Sequence, residues 1–326
     1  MASTVQVLNK AERIDLSHTK GRSLWADAMR RLLRNRAAVT GLVVIVIYVV
    51  VALFAPWIAP FNPVTQTPNN SLRMPAWVQT DNPKYSGQAQ YPLGTDSIGR
   101  DQLSRLIYGI RVSLLVGVLP QIFIVGVGVL IGLVSGFAGG WLDNVLMRFT
   151  EIVAAFPDLL FIITLTVAFR DTWYGKSFNG LLLIFTALAV IGWTGMARLV
   201  RGQVLSLKQK EFIEAAQAVG VPTGRLLWRH VLPNTLAPII VSVSFSIPGL
   251  ILSEAILTVI GVGMRPSVDP ANPLPTSLGV MLQDGYSNIS SGPWMLLFPV
   301  LAIAILVLSF TFLGDGLRDA LDPRDQ

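Results

Sequence analysis

The sequence predicts an all-α integral membrane protein with six transmembrane helices. Three observations carry that prediction. The 326 residues are 52% hydrophobic and only 13% charged, where a soluble domain has roughly 25% charged residues. Six apolar runs, each long enough to cross a hydrocarbon core of about 30 Å, alternate with polar, Pro- and Gly-marked connections. The net charge of +6 is concentrated in the N-terminal tail and in one loop, the bias expected of segments that stay on the cytoplasmic side. That bias suits contact with membrane lipid headgroups and speaks against a nucleic-acid partner.

Residues 1–36 read as a cytoplasmic basic tail, with Lys10, Arg13, Lys20, Arg22, Arg30, Arg31, Arg34 and Arg36 outweighing Glu12, Asp15 and Asp27. Leu24/Trp25, Ala28/Met29 and Leu32/Leu33 recur at helical spacing among the arginines, the pattern of an amphipathic helix lying on the membrane face. A helix packed on a soluble partner is the alternative. Residues 37–57 form the first span, closed by Pro56, Pro60 and Pro63, with Trp57 at the outer interface. The run reads as an uncleaved signal anchor.

Residues 58–109 form an extracytoplasmic segment rich in Pro, Asn, Gln and Thr. Gly94 to Asp101 is turn-prone, with Asp96 and Asp101 flanking Arg100. Local ion pairs and helix capping by Asp96 or Ser97 are expected there. From Gln102 an amphipathic helix leads into the second span, which runs without charge to Leu142. Gly117, Gly126, Gly128, Gly132 and Gly136 in that run permit close helix–helix approach.

The third span is expected over Val145–Phe169, with Glu151 and Asp158 seven apart on one helical face. Glu151 suits the inner interface, and Asp158 is a candidate for the translocation path. In the outer loop 170–180, Gly175-Lys176-Ser177 is similar to the end of a phosphate-binding loop. Arg170 stands where the first glycine would have to be, and no strand precedes it, so no nucleotide site is read there. The fourth span, 181–196, continues as helix through Arg198 and Arg201. The fifth, from Thr235, carries Glu254, either a second path candidate or a hydrogen-bonding group between helices. Residues 262–292 return outside. The last span runs from Trp294 to Gly314, so 110–314 is a five-helix core, and 315–326 is a cytoplasmic tail.

Cysteine is absent and His18 and His230 are the only histidines, which excludes disulfides, thiol chemistry and Cys-based metal sites and leaves no His cluster. No convergent catalytic set is found and no cofactor is expected on the chain. The informative stretch is the loop 202–233 between the fourth and fifth spans. Phe212, Ala215, Ala216 and Val219 fall at i, i+3, i+4 and i+7, one apolar stripe on a short helix, with Glu211, Glu214 and Gln217 off it. Gly220 ends that helix with positive φ, and Val221-Pro222-Thr223 starts a second one. The residues alone also allow an ordinary amphipathic helix resting on the membrane.

The string Glu214-Ala215-Ala216, Gly220, His230 and Leu232-Pro233, at these spacings, resembles the EAA loop of ABC importer permeases. Gly94-Thr95-Asp96, Gly99-Arg100-Asp101, Ser104-Arg105, Ala155-Phe156-Pro157, Gly314-Asp315-Gly316-Leu317-Arg318-Asp319 and Asp322-Pro323-Arg324 are similar to the dipeptide/oligopeptide branch and its C-type subunit. The resemblance implies a type I (MetI-like) permease fold. It implies that Glu211, Phe212, Glu214, Ala215, Ala216, Gly220, Val221, Pro222, His230, Leu232 and Pro233 couple the chain to an ATPase. The implied partners are a homologous permease subunit, two ATPase subunits that bind ATP and magnesium, and an extracytoplasmic binding protein, in a bacterial or archaeal inner membrane. Import of nickel or another small solute, and an ATP-independent transporter, are the alternatives. The length of 64–91 and the missing tryptophan before Gly279 depart from the family pattern and bear on the substrate.

Overall fold

A computed structural model describes residues 24–321; Lys10, Arg13, Lys20, Arg22 and the Asp322-Pro323-Arg324 motif lie outside them. Five helices are long and apolar enough to cross a membrane, and a bent pair makes the sixth crossing. The amphipathic helix is α1 (Leu24–Arg34). The first span is α2 (Arg36–Leu53), capped by Asn35, whose Oδ1 accepts from the amides of Ala37 and Ala38. A short turn, α3 (Ala55–Ile58), follows the break at Phe54. The second crossing is α4 (Gln102–Ala138), longer than its apolar run because the amphipathic lead-in is part of the same helix.

The third crossing differs from the single helix expected. It is α5 (Gly140–Ala154) and α6 (Asp158–Phe169), bent by 76°. Pro157 supplies no N–H and disfavours helical geometry at Phe156, so the chain breaks at Ala155-Phe156-Pro157. Glu151 and Asp158 therefore do not share a face. Glu151 pairs with Arg148 at 3.0 Å, with both side chains exposed. After a small turn, α7 (Trp173–Lys176), come α8 (Leu181–Lys208), α9 (Glu211–Ala218), α10 (Thr223–Leu226), α11 (Leu232–Val259), α12 (Leu278–Ser287) and α13 (Trp294–Leu321).

The packing follows residue size. Cβ atoms added at Gly128, Gly132 and Gly136 would lie within 3.0 Å of residues of α8, including Met196, Val200 and Val204. These glycines, one helical turn apart, let α4 and α8 meet backbone to backbone. On the other side α2 lies along α13, where Ile45, Ala302, Ile303, Leu306 and Phe310 share one apolar cluster with Ile110 of α4 and Ile251 of α11. Ala28 and Leu32 of α1 pack against Ala320, Leu313 and Leu317 of α13. Both described ends of the chain therefore lie at the same end of the bundle, the loop end, with α9. Met29 and Leu33 on the other side of α1 stay exposed.

The opposite, cap end is more ordered than a Pro-rich loop suggests. Residues 262–292 contain α12, which Ser277 caps by accepting from the amide of Val280. Leu278, Val280 and Met281 are buried. Ser277 followed by an apolar repeat at Leu278, Met281 and Leu282 was the available signal. Segment 59–101 is irregular and folds over the bundle. Asp96 and Arg105 are buried, and Arg105 donates to Asp96 at 2.7 Å and to Asp284 at 2.6 Å. Arg100 reaches the same two carboxylates. The expected ion pair of Asp96 with Arg100 thus forms. The cap of α4 is Asp101, rather than Asp96 or Ser97, accepting from the amide and hydroxyl of Ser104 at 2.8 and 2.6 Å. Burial pushes the Asp101 carboxyl above its ordinary pKa, and the bonds from Ser104 oppose that rise.

Candidate functional site

The loop end is organised around residues 209–222. Helix α9 is two turns long, about 12 Å, and begins with Glu211 and Glu214 in its first turn, where negative charge suits the helix dipole. Ile213 fixes it to the bundle. This side chain is fully buried in a cluster with Val200, Val204, Leu226 and Val231, with Ala216 and Val221 at the edge. The sequence pattern singled out the stripe Phe212, Ala215, Ala216 and Val219. Of these, only Ala216 turns partly inward, while Phe212, Ala215 and Val219 are exposed, Val219 by 82%. The anchor is the neighbouring face of Ile213 and Ala216, which has the same helical spacing and was hidden by the longer stripe.

The end of α9 is fixed by backbone hydrogen bonds. Gly220 has φ 78, its amide donates to Gln217 O at 2.9 Å, and the amide of Val221 donates to Ala216 O at 3.1 Å. This is a Schellman arrangement, with Ala216 and Val221 as its apolar pair. A Cβ at Gly220 would meet nothing within 4 Å, so glycine is required there by conformation rather than by space.

Pro222 caps α10. The outgoing limb is not a separate helix across the bundle, because α10 runs through a π-helical turn, Leu227–Val231, directly into α11. Pro233 explains the turn. It has no N–H for the carbonyl of Arg229, and its ring would crowd that carbonyl, so the backbone widens there. His230 is half-buried within the turn, and its carbonyl accepts from Asn234 Nδ2 at 2.6 Å. Leu232 is half-buried and Pro233 exposed. Two polar ties brace the base. Arg201 grips Asp143 in two bonds of 2.6 and 2.7 Å, and Lys208 Nζ donates to Phe137 O at 2.9 Å.

The two acidic path candidates are far apart in character. Asp158 is exposed at the start of α6, on the 76° break. Glu254 is wholly enclosed. Its Oε1 accepts from Thr258 at 2.9 Å and Ser277 at 2.7 Å, while Oε2 has no partner. It ties α11 to the start of α12, the hydrogen-bonding role between helices. Among the described residues no group of three or more His, Cys, Asp and Glu could hold a metal ion.

Six helical crossings, with a short helix anchored at one end of the bundle on a braced base, define a multi-pass membrane protein. Comparison with known proteins makes this specific. The chain belongs to the family described as "Binding-protein-dependent transport system inner membrane component", whose profile matches residues 128–324. The profile "N-terminal TM domain of oligopeptide transport permease C" matches residues 23–75. "Oligopeptide transport system permease protein OppC" of Escherichia coli K12 is 41% identical over 322 residues, 98% of this chain and 96% of that one. The protein of the same description from Haemophilus influenzae is 39% identical over 97% and 94%. "Dipeptide transport system permease protein DppC" of Bacillus subtilis is 36% identical over 98% and 92%. The fold is similar to that of a solved "MetNI methionine ABC transporter" in an inward-facing conformation, with a TM-score of 0.55 at 20% identity, covering 67% of this chain and 96% of that one. The chain is a multi-pass inner-membrane permease subunit with the type I importer fold.

Proposed function

We propose that this chain forms half of the translocation path of an ATP-driven importer of di- or oligopeptides and receives its drive through α9. The relatives' substrates support the peptide class over nickel or another small solute. One observation carries the coupling role. Helix α9 is anchored by Ile213 and braced at its base, yet it leaves Phe212, Ala215 and Val219 uncovered beside Glu211 and Glu214. An apolar stripe rimmed by acids, on a helix stiffly joined to the bundle, suits a groove in a partner protein. In this reading Gly220, Val221 and Pro222 fix the turn, and His230, Leu232 and Pro233 shape the limb that carries movement into α11.

The partners are a homologous permease subunit, two ATPase subunits that hold ATP and magnesium, and a binding protein that delivers peptide at the cap end. Both termini and the loop end face the cytoplasm. Closure of the ATPases moves the loop helices as rigid bodies and switches the bundle between inward- and outward-open states. The chain itself makes and breaks no bonds. Asp158, exposed at the helix break, remains a candidate wall of the path.

The test is co-purification. Ala215→Arg places a long cation in the middle of the stripe and is expected to abolish recovery of the ATPase subunits while the chain still inserts in the membrane. Full recovery of the ATPases with Ala215→Arg would reject the coupling role. Uptake assays with a tripeptide, a dipeptide and nickel ion separate the substrate classes.

A further inference from the structure

One face of α11 has no covering helix. Pro238, Ser242, Phe245, Gly249, Leu252, Ile256 and Val259 follow one another at alternating steps of four and three, so they line one side of the helix. Phe245, Leu252, Ile256 and Val259 are exposed. The face changes character along its length. Toward the cap end it borders an apolar groove of about 460 Å³ walled by Val300, Ile303 and Val307 of α13. Toward the loop end it opens into a groove of about 790 Å³ in which Ser242 and Ser246 face Gln203 of α8 and Arg318 of α13. That volume lies within the range of small-molecule sites.

The polar half is unusual in its hydrogen bonding. Ser244, Ser253 and Thr235 of α11 donate back to carbonyls of their own helix, and Ser246 does the same to Val243 O at 3.0 Å, which leaves its oxygen as an acceptor. Among the described residues Ser242 and Gln203 have no side-chain partner, and Arg318 has no acid. Behind Ser246 stands Gln121 of α4, 4% exposed, whose Nε2 donates to Ser246 Oγ. Gln121 Oε1 is buried without any partner. Ser242, Ser246 and Gln121 all lie within crossing helices, where lipid chains offer nothing to bond. Polar groups at such depth mark a route for a polar solute.

We propose that this groove is a subsite for the main chain of the translocating peptide, formed by Ser242, Ser246 and Gln203, with Gln121 behind it and Arg318 at its mouth. The proposal rests on the importer reading above and names the residues of this chain that the peptide touches. Uncharged donors and acceptors suit amide groups common to all peptides and make no demand on side chains. The guanidinium at the mouth suits a C-terminal carboxylate. The runner-up occupant is the partner permease subunit.

The chain has no cysteine, so label recovered on this chain reports the introduced cysteine alone. The complete transporter, with its binding protein, would be reconstituted in vesicles carrying Ser242→Cys or, as the lipid-facing control on α13, Leu308→Cys. A charged maleimide is expected to label Ser242→Cys but not Leu308→Cys, and turnover of trialanine is expected to slow the labelling. No labelling at Ser242→Cys, as a covering partner subunit would cause, overturns the subsite. So does labelling that trialanine leaves unchanged. A second pair isolates the hydroxyl. Ser242→Val should lower trialanine uptake about ten-fold, the equivalent of one lost hydrogen bond, while Ser242→Thr, of the same shape, should retain it. Equal uptake by the two variants overturns the proposal. Failure of the importer reading itself would show differently, as an unmutated complex whose ATP hydrolysis does not respond to peptide.

Discussion

At the loop end, Phe212, Ala215 and Val219 stand uncovered on a helix held by local signals. At the cap end, Asp96, Arg105 and Asp284 are folded into a network joining segments nearly two hundred residues apart. The loop end shapes a surface and leaves its contacts unmade. The cap end completes its contacts inside the chain and holds α4, α12 and segment 59–101 together. Substitutions at the cap end should therefore register as lost stability, and those in the loop as lost coupling.

The largest expected effect is Arg105→Leu. It removes a fully buried cation and leaves Asp96 and Asp284 to Arg100 alone. Breaking a buried pair costs about 3 kcal/mol or more, read as a fall in the thermal unfolding midpoint of the purified complex. An unchanged midpoint would mean the network contributes little. Next is Gly132→Val, whose Cβ would lie 2.6 Å from Val200 Cβ and 2.7 Å from Ala197 O. Overpacking of this kind costs about 1–3 kcal/mol, with lower yield of folded protein as the measurement. Gly220→Ala meets no steric obstacle and carries only the left-handed penalty of about 1–2 kcal/mol. The prediction is a sharp loss of transport with a small change in melting. Wild-type transport would show that the turn is not needed for coupling. The smallest is Arg148→Ala, which breaks an exposed pair and should leave melting and transport within experimental scatter.

The same contrast explains what the sequence disclosed. The crossings were legible because apolar runs of that length are spelled out in composition. The loop was legible because its signals are local: a glycine with positive φ, a proline at a helix start, and acids in the first turn. The close seam of α4 and α8 was announced by glycines one turn apart. The 76° break carried a signal too, Pro157, but the continuous apolar run around it outweighed one residue. The cap network was partly visible, since Asp96 and Arg100 are neighbours, whereas Asp284 is a partner that only the folded chain brings near. Glu254 was ambiguous for the same reason, because Ser277, 23 residues on, decides whether it is enclosed. Ser242 carries no sequence signal of its own, and only the folded chain shows that it lacks the bond back to the helix that Ser244, Ser246 and Ser253 make.

The π-helical turn at Leu227–Val231 bears on how motion would be transmitted. It lies in an unbroken helical shaft that begins at Thr223, beside the turn that ends α9, and continues as α11. The widened coil is one of three weakened places in the shaft, because Pro238 and Pro248 each remove a further helical hydrogen bond. A partner that moved the α9 end would push on a shaft able to bend at each of these places, with Ser242, Phe245 and Leu252 along its side. In the importer reading, the switch between the two states of the bundle would then reshape the groove beside Ser242 as the shaft bends.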